Sequence, residues 1–526
     1  MKKLHSKTIK IFGPPGTGKT TKLLGRVEKY LERGVKPNEV AYFSFTRKAV
    51  KEAVERFKFK FPFIKDEDLN NVRTIHSFCR QSFKEIPVMD DDGDMREFEG
   101  GMGNISLEYD DSYSDVRIRK NWPLRIYDKA RNMMIDPVLA YRRERVKKVS
   151  LEKYINTIKS YEEFKQQHRV DFTDMIERYI EVATPPNFKL LIIDEAQDLT
   201  PLQWKFVYKL SEAAERVYVA GDDDQAIYEW NGALVKIFQE FPGRKVVLKY
   251  SHRLNKQIHS FAKLIRTKIK NTEEKEFNCG LGEGNVMLFK KFQEIPFHAF
   301  TGKWYILARI RECVKELTDE AQKIGLYYEN VKGKKSFDIY QYKAIKIWTD
   351  LIGGRTITKD DAVLCYEYIQ EIARGYRKLD SKAWLEIDPN YLMDFETLQV
   401  VGGLETTKKK EPWYDAFNRK FSDPQKRYFF KMEKLNIDLN TKANIIIDTI
   451  HQVKGGEAEN VVLYAKTNWP SDFDGKNLDA KSNEARVWYT GSTRSKKNLF
   501  LLGTTHKYSF PLAQIYNTYM ENINEQ

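Results

Sequence analysis

The chain has 526 residues and a net charge of +14, with 41% hydrophobic and 13% aromatic residues. That length predicts several domains, and that composition excludes disorder throughout the chain. The positive charge favours a polyanionic partner such as nucleic acid. Four widely spaced cysteines exclude CxxC metal motifs and suit a reducing, intracellular setting. Because no apolar run is long enough for a signal peptide or a membrane span, we expect a soluble cytoplasmic protein with no membrane partner.

Short apolar runs that end in glycine, polar or acidic residues recur along the chain. They are rich in Val and Ile and alternate with helical patterns, which is typical of parallel strands buried on both faces. The runs begin at residues 8, 40, 190, 217, 246, 286, 304, 444, 460 and 498. A helix is predicted from Lys19 to a stop at Gly34, with one apolar face made of Leu23, Leu24, Val27, Tyr30 and Leu31. The pattern predicts an α/β fold with one parallel-sheet domain before about residue 250 and another after about residue 285.

Two segments interrupt this pattern. The first begins at Val88 with an acidic, glycine-bearing stretch, for which a protein docking site and simple disorder both stay open. It then turns basic, with interleaved aromatics and the cations Arg117, Arg119, Lys120, Arg125, Arg142, Arg143, Arg145, Lys147 and Lys148. Such a composition suits a phosphate-backbone groove, and a solvated helical face explains it equally well. The second interruption, roughly 340 to 440, starts with the helical pattern YQYKAIKIWTDLI and then loses any regular period.

A phosphate loop follows the first predicted strand. The pattern G-x-x-x-x-G-K-[ST] is matched between a predicted strand and a predicted helix. Backbone N–H groups of such a loop close around phosphate, Lys19 reaches the β and γ oxygens, and the Thr20 hydroxyl takes Mg²⁺. The predicted nucleotide-binding residues are Gly13, Pro14, Pro15, Gly16, Thr17, Gly18, Lys19, Thr20 and Thr21.

Two carboxylates follow the apolar run at Leu190. Asp194 stands at the end of that predicted strand, where it can hold Mg²⁺ through water. Glu195 beside it can orient or deprotonate an attacking water. Together with the phosphate loop, the pair predicts nucleotide hydrolysis rather than binding alone.

The order of motifs resembles that of the UvrD/Rep-like DNA helicases of superfamily 1 (1A). IIDEAQD at 192 and VAGDDDQAIYEWNGA at 219 closely resemble the family's second and third motifs. Further matches are SFTRKAV at 44, RTIHSFC at 73, VDFTDMI at 170, YSHRLNKQI at 250, TIHQVKGGEAENVVLY at 449 and RVWYTGSTRSKKNLFLL at 486. The resemblance spans Gly13 to Leu502. It implies two RecA-like motor domains with ATP between them and single-stranded DNA running across both.

The resemblance also implies a domain division in which each motor domain carries a mainly helical insertion. The expected first motor domain is 1–87 with 168–250, its insertion is 88–167, the second motor domain is 251–339 with 441–526, and the second insertion is 340–440. This last insertion is short for the family.

Residue roles in the nucleotide site follow from the same resemblance. Gln225 matches the residue that senses the γ-phosphate and the attacking water, and Arg253 and Arg494 match two arginine fingers. An arginine finger stabilises charge on the transferring phosphoryl only when the cleft closes, which couples hydrolysis to domain movement. Glu457 lies at the ribose position, and His252 replaces a tyrosine that stacks on the base. The short stretch before Gly13 lacks the family's adenine-reading Gln, so base selectivity stays open.

Single-stranded DNA and single-strand/duplex junctions are the partners that the resemblance implies. The predicted DNA-binding residues are Phe45, Thr46, His76, Tyr228, Trp230 and His451. Aromatic stacking on bases tolerates any sequence because every base has a π-face. Core packing is the alternative for each aromatic, and the polar surroundings of Tyr228 and Trp230 favour exposure there.

The leading hypothesis is therefore an ATP- and Mg²⁺-dependent DNA helicase that moves along a single strand. The 3′ to 5′ polarity and a monomeric motor are implied by the family alone. A DNA-stimulated ATPase that strips proteins with little unwinding, an RNA motor, a non-hydrolysing scaffold and a nucleotide switch are the alternatives. Intact Lys19, Glu195, Gln225, Arg253 and Arg494 argue against the scaffold. The pathway, whether repair, replication or recombination, and any protein loading partner stay open.

Overall fold

A computed structural model describes the chain at residues 2–45, 47–83, 85–88, 121–144, 147–166, 169–280, 282–435, 437–467 and 478–525. The chain divides into two compact units. One unit comprises 1–290, 307–310 and 449–526, and the other comprises 291–306 and 311–448. None of the helices in the described ranges has both the length and the apolar character needed to cross a membrane.

The strands of the described residues are labelled in chain order. They are β1 Thr8–Phe12, β2 Val40–Ser44, β3 Val72–Arg73, β4 Leu190–Asp194, β5 Val217–Gly221, β6 Arg244–Val247, β7 Tyr250–Ser251, β8 Asn278–Cys279, β9 Asn285–Phe289, β10 Trp304–Ala308, β11 Tyr328–Glu329, β12 Ile445–Thr449, β13 Ala458–Tyr464 and β14 Ser495–Leu502.

The α-helices alternate with these strands and also occur in the described parts of the two segments predicted as insertions. They are Lys2–Lys7, Lys19–Leu31, Arg47–Lys60, Ile75–Ser82, Trp122–Met133, Pro137–Arg143, Leu151–Lys165, Phe172–Val182, Pro201–Ala213, Val235–Glu240, Lys256–Arg266, Arg311–Ile324, Ile339–Ile352, Lys359–Tyr366, Lys382–Leu385, Phe395–Val400, Trp413–Ala416, Asp423–Lys434, Leu478–Ser492 and Leu512–Asn524. Short 3₁₀ helices are Pro37–Glu39, Asp66–Leu69, Ala196–Asp198, Asp223–Gln225, Glu229–Asn231 and Phe292–Glu294.

The first sheet has six strands in the order β3-β2-β4-β5-β1-β6. Its pairs run parallel, with Phe12 opposite Gly221 and Ser44 opposite Asp194. Strands β1, β2, β4 and β5 therefore end at one edge of the sheet. In open α/β sheets this carboxyl edge is where ligands bind.

Both faces of the first sheet are covered, as the apolar runs predict. Val40 and Tyr42 of β2 pack in one cluster with the apolar face of helix Lys19–Leu31, while Ala41 and Phe43 pack in a second cluster on the other face. Strand side chains alternate between faces, so a fully buried strand has no polar alternation. The predicted helix face is confirmed, and Gly34 has φ +83°, a left-handed conformation that suits the end of a helix.

The later strands of the chain also pair in parallel. Within the larger unit, β14 pairs parallel with both β13 and β9, and Leu499 lies opposite Val461 and Val286. Within the smaller unit, β11 pairs parallel with β12. Parallel sheets flanked by helices confirm the predicted α/β fold with two RecA-like motor domains.

Each of the ten predicted apolar runs contains a strand. The run at residue 246 differs in detail, since it holds the end of β6 and the start of β7, which pairs with β8 in a separate two-stranded sheet. Strands β3, β7, β8 and β11 have two residues each, too short to produce a pattern in the sequence.

The described part of segment 88–167, predicted as the first insertion, consists of three helices, Trp122–Met133, Pro137–Arg143 and Leu151–Lys165. Trp122, Tyr141 and Tyr154 pack together in their small core. Five of the predicted basic residues are exposed, namely Arg125, Arg142, Arg143, Lys147 and Lys148. Arg117, Arg119, Lys120 and Arg145 lie outside the described residues, as does the acidic stretch apart from its first residue, Val88.

The smaller unit has a core of its own, in which Trp348, Trp384 and Trp413 are buried. Helix Ile339–Ile352 confirms the helical pattern predicted at the start of this segment. The helices between Lys382 and Ala416 have only four to six residues each. Helices that short do not repeat an apolar position often enough to show a period, which explains why the pattern fades there.

Candidate nucleotide and DNA site

The carboxyl edge of the first sheet gathers the predicted nucleotide-binding groups. The phosphate loop follows β1, Asp194 ends β4 with Glu195 next to it, and Asp222 follows β5. These segments are far apart in sequence and meet because parallel strands end at the same edge.

The phosphate loop has the backbone that its glycines predict. Gly16 and Gly18 have φ of +71° and +73°, which side chains disfavour. A Cβ atom on Gly13 would lie 2.1 Å from Cγ of Lys19, so only glycine fits there. Helix Lys19–Leu31 starts without a side-chain cap, which leaves the N–H groups of its first turn for an anion.

Lys19, Thr20 and Asp194 lie together at the start of that helix. The Lys19 Nζ donates to the Gly13 carbonyl at 2.8 Å. The Thr20 hydroxyl donates to Asp194 Oδ2 at 3.0 Å, and Asp194 Oδ1 accepts the Glu195 N–H at 2.9 Å. A hydroxyl and a carboxylate side by side are the oxygen ligands that Mg²⁺ prefers. Thr21 is exposed and accepts a long 3.4 Å bond from Arg56.

The two adjacent carboxylates have opposite electrostatic environments. Burial raises the pKa of Asp194, and the neighbouring charge of Glu195 raises it further. Burial also acts to raise the pKa of Glu195, but the charges of Lys19 and Lys454 outweigh it and lower that pKa. Glu195 is therefore ionised at neutral pH, the form that accepts a proton or orients a water.

Gln225 and Arg494 are bonded to each other although the sequence predicts them in different motor domains. Arg494 is buried, and its Nη2 donates to Oε1 of Gln225 while its Nη1 donates to the Gly456 carbonyl at 3.2 Å. The Gln225 amide nitrogen donates to Asp222 Oδ2 at 2.6 Å. A carboxylate only accepts hydrogen bonds, so Asp222 fixes which end of the Gln225 amide faces Arg494.

The segment around Arg253 lies directly against the phosphate loop. The His252 N–H donates to the Gly16 carbonyl at 2.9 Å, and a Cβ on Gly16 would lie 2.3 Å from Cβ of Arg253. Arg253 Nε donates to Glu457 Oε2 at 2.7 Å. The exposed His252 ring meets Tyr250 edge-on with centroids 4.9 Å apart. The structure thus brings all five predicted catalytic residues and the predicted ribose and base positions into one region.

Lys275 is a buried residue of this region that the sequence did not indicate. Its Nζ is bonded to Asp222 at 2.7 Å, to Asp224 at 2.9 Å and to Asp223, and these side chains are at most 2% exposed. Arg266 pairs with Asp224 at 2.7 Å. In the sequence, Lys275 stands in the charged run NTEEKEF, which is typical of a surface loop.

Four of the predicted DNA-binding residues form one aromatic cluster. Phe45 lies 5.0 Å from Tyr228, and the rings of His451 and Trp230 lie 6.2 Å and 6.3 Å from Tyr228. Lys454 Nζ lies 4.9 Å from the Tyr228 ring centroid. Trp230 is half-buried, but Tyr228 is only 2% exposed, so the expectation that its polar surroundings expose it is wrong. The rings and the lysine packed around Tyr228 come from distant segments, which local composition does not reveal.

His451 and the two predicted DNA contacts outside this cluster differ in their surroundings. Burial and the charge of Arg309 lower the pKa of His451 well below its usual value, so its ring is neutral and offers a hydrogen bond rather than a charge. His76 lies on helix Ile75–Ser82 with its ring edge-on to Phe172, 6.1 Å between centroids. Thr46 lies outside the described residues.

Comparison with known proteins gives matches at both ends of the chain. The model of the UvrD/REP helicase N-terminal domain matches residues 2–245, and that of the UvrD-like helicase C-terminal domain matches residues 419–506. A probable DNA helicase II homolog of Mycoplasma pneumoniae is 22% identical over 94% of this chain and 81% of its own length.

Two further relatives are matched over less of their own length. A probable DNA helicase II homolog of Mycoplasma genitalium is 26% identical over 43% of this chain and 34% of its own length. The ATP-dependent DNA helicase PcrA of Bacillus subtilis is 24% identical over 77% of this chain and 59% of its own length. The chain thus spans from about a third to about four fifths of these relatives. Two domain models of one family, two parallel-sheet motor domains and the placement of the phosphate loop and the carboxylates at the carboxyl edge of the first sheet agree. The chain belongs to the UvrD/Rep-like DNA helicases of superfamily 1A, a family of ATP-hydrolysing enzymes.

Proposed function

We propose that this chain is an ATP-dependent DNA helicase that moves along single-stranded DNA in the 3′ to 5′ direction and unwinds duplex ahead of it. The observation that carries the proposal is the convergence of Arg253 and Arg494 on the phosphate-loop side of the first sheet. Residues that follow the first sheet in sequence thereby reach the groups around the phosphate loop. Such an arrangement ties hydrolysis to the relative position of the parts of a motor.

Hydrolysis of ATP is assigned to named groups of the site. Lys19 and the N–H groups of the first helical turn bind the phosphates, and Glu195 orients the attacking water and accepts its proton. Gln225 offers its amide oxygen, held in place by Asp222, to that water. The two arginines stabilise the charge that develops on the transferring phosphoryl group.

A divalent cation fits the oxygen atoms present. Thr20 Oγ1 and Asp194 Oδ2 lie 3.0 Å apart at the base of the phosphate loop and are the groups that would hold Mg²⁺. When bound, Mg²⁺ supplies charge neutralisation at the β and γ phosphate oxygens. The protein holds these two oxygens together and keeps Asp194 bonded to the Glu195 backbone, which orients the carboxylate.

A contact between the nucleotide groups and the aromatic cluster supports coupling to DNA. Lys454 Nζ donates to Asp198 Oδ2 at 2.5 Å and to the Gln225 carbonyl at 2.7 Å. The same ammonium lies over Tyr228. One buried lysine therefore touches the loop of the proposed water-sensing residue and the proposed stacking residues.

The first test is ATP hydrolysis by the purified chain without polymer and with single-stranded DNA, duplex DNA or single-stranded RNA, each at low and moderate salt. We expect strong stimulation by single-stranded DNA. Lys19→Ala is expected to abolish turnover, whereas Lys22→Ala, on the exposed face of the same helix, removes the same charge and is expected to leave it intact.

Unwinding is tested separately with duplexes that carry a 3′ or a 5′ single-stranded tail. The proposal predicts strand separation only from the 3′ tail. Stimulated hydrolysis without strand separation would indicate a translocase that displaces proteins, and stimulation by RNA alone would indicate an RNA motor. Absence of stimulation by any polymer would refute a nucleic-acid motor altogether.

A further inference from the structure

A single hydroxyl in the core of the first motor domain touches the proposed cation site. Tyr42 lies in the middle of β2, is fully buried, and packs edge-on against Phe57 with centroids 6.2 Å apart. Its neighbours on this face of the sheet are mostly apolar, including Val40, Ile192 and Leu23. A buried hydroxyl needs a hydrogen-bond partner, because burying it without one costs free energy.

The partner of this hydroxyl is Asp194. Tyr42 donates to Asp194 Oδ2 at 2.6 Å, the same oxygen that accepts the Thr20 hydroxyl at 3.0 Å. The second oxygen, Oδ1, accepts the Glu195 N–H at 2.9 Å. Three donors from three chain segments therefore hold both carboxylate oxygens, and Tyr42 is the one that approaches from within the sheet.

Tyr42 differs from the other residues that hold Asp194 because packing does not require its polar atom. Phenylalanine would fill the same space between the sheet and helix Lys19–Leu31, so the hydroxyl is the only part of Tyr42 that the apolar cluster does not use. A bond of this kind to a ligand carboxylate fixes its orientation and tunes its affinity for a metal ion.

We propose that Tyr42 is a positioning residue for the divalent cation, acting through Asp194. This inference rests on the proposed function, in which Thr20 and Asp194 hold Mg²⁺. In this role the Tyr42 hydroxyl keeps one carboxylate oxygen beside the Thr20 hydroxyl, so that the site is assembled before the cation arrives. Tyr42 itself contacts neither phosphate nor water in the reaction.

The test uses Tyr42→Phe, which removes the hydroxyl and keeps the ring. Mn²⁺ serves as the probe, and its dissociation constant is measured by electron paramagnetic resonance on the full chain with ADP present. Loss of groups that orient a metal ligand weakens metal binding by about 10- to 100-fold, and we expect a change in that range. In hydrolysis assays, the half-saturating Mg²⁺ concentration should rise while kcat at saturating Mg²⁺ returns close to that of the unmodified chain.

Two control variants are needed to interpret Mn²⁺ binding by Tyr42→Phe. Tyr218→Phe, on the same face of β5 with β4 between it and β2, removes a hydroxyl from the same cluster and should leave Mn²⁺ binding unchanged. Asp194→Asn should abolish high-affinity Mn²⁺ binding. Melting temperatures of all three variants show whether the fold is kept.

The outcomes separate this inference from the proposed function. Unchanged Mn²⁺ affinity in Tyr42→Phe, with loss in Asp194→Asn, overturns the role of Tyr42 and leaves the cation site in place. Equal weakening in Tyr42→Phe and Tyr218→Phe also overturns it, because the effect would then come from general packing of the cluster. Unchanged affinity in Asp194→Asn refutes the cation site itself.

Discussion

Replacing Lys275 with methionine tests whether the buried charge cluster behind the nucleotide site holds the motor domains in their folded form. Methionine keeps most of the length and apolar volume of lysine and removes its charge. Asp222 and Asp223 would then remain with side chains at most 1% exposed and without this cation, while Asp224 would keep Arg266. Buried carboxylates that lose their counter-charge are strongly unfavourable.

The size of the effect follows from burial. Removing one partner of a buried ion pair costs about 3–5 kcal/mol, and no reduction for solvent screening applies because the Lys275 side chain is 1% exposed. Arg266 still compensates part of the cluster, so we expect a loss of about 3 kcal/mol in the free energy of unfolding. Since Asp222 also orients Gln225, kcat for ATP should fall while KM changes little.

The assay is thermal unfolding combined with steady-state hydrolysis. Lys263→Met is the matched control, since Lys263 is exposed on helix Lys256–Arg266 and its loss changes net charge equally. Lys275→Arg keeps the positive charge and should recover part of the stability. A melting temperature for Lys275→Met equal to that of Lys263→Met would refute the reasoning.

Three further predictions concern single residues. Arg494→Ala should lower kcat by about 10³-fold or more, the scale of an arginine finger, while ATP binding measured by calorimetry is kept. Trp230→Ala should weaken single-stranded DNA binding in fluorescence anisotropy by about 1–3 kcal/mol, the value of one stacked base, whereas Phe59→Ala, with Phe59 90% exposed, should not. Burial raises the pKa of Asp198 to about 7, above its value in the unfolded chain. The stability that the protonated carboxyl contributes therefore falls as pH rises from about 4 to about 7. Asp198→Asn should make the melting temperature less dependent on pH across that window.

Each of these three predictions has a result that contradicts it. Full turnover in Arg494→Ala would make its bond to Gln225 purely structural. DNA affinity that is unchanged in Trp230→Ala would place that ring in the core alone. A pH dependence of the melting temperature that persists in Asp198→Asn would assign the titration to another group.

The sequence predicts the fold well where a local pattern repeats. Buried strands appear as unbroken apolar runs, and helix Lys19–Leu31 shows its apolar face, because both features depend on neighbours in sequence. The phosphate loop is equally visible, since its glycines serve backbone conformations that only glycine adopts easily, as φ of Gly16 and Gly18 shows.

The sequence does not predict features that depend on which distant segments meet. Lys275 stands in a charged run and is nevertheless buried, because the three aspartates that follow β5 surround it. Tyr42 fits a buried strand as well as phenylalanine would, and only the fold shows that its hydroxyl reaches Asp194. In each case the topology of the fold, rather than the spacing of residues in the sequence, decides which partner the polar atom meets.

Hydrogen bonds between distant segments also connect the nucleotide groups to the aromatic cluster. Gln197 donates to Glu195 at 2.6 Å and to Asp198 at 3.1 Å, and Asp198 accepts Lys454, whose ammonium lies over Tyr228. Buried charges and amides of this kind have few alternative partners, so a shift of one member is costly unless its neighbours shift too. A base that displaced Tyr228 would therefore act on Lys454 and, through Asp198 and Gln197, on the carboxylate proposed to orient the attacking water. Coupling by this route needs no large movement, only two arrangements of one hydrogen-bonded group that DNA and ATP favour differently.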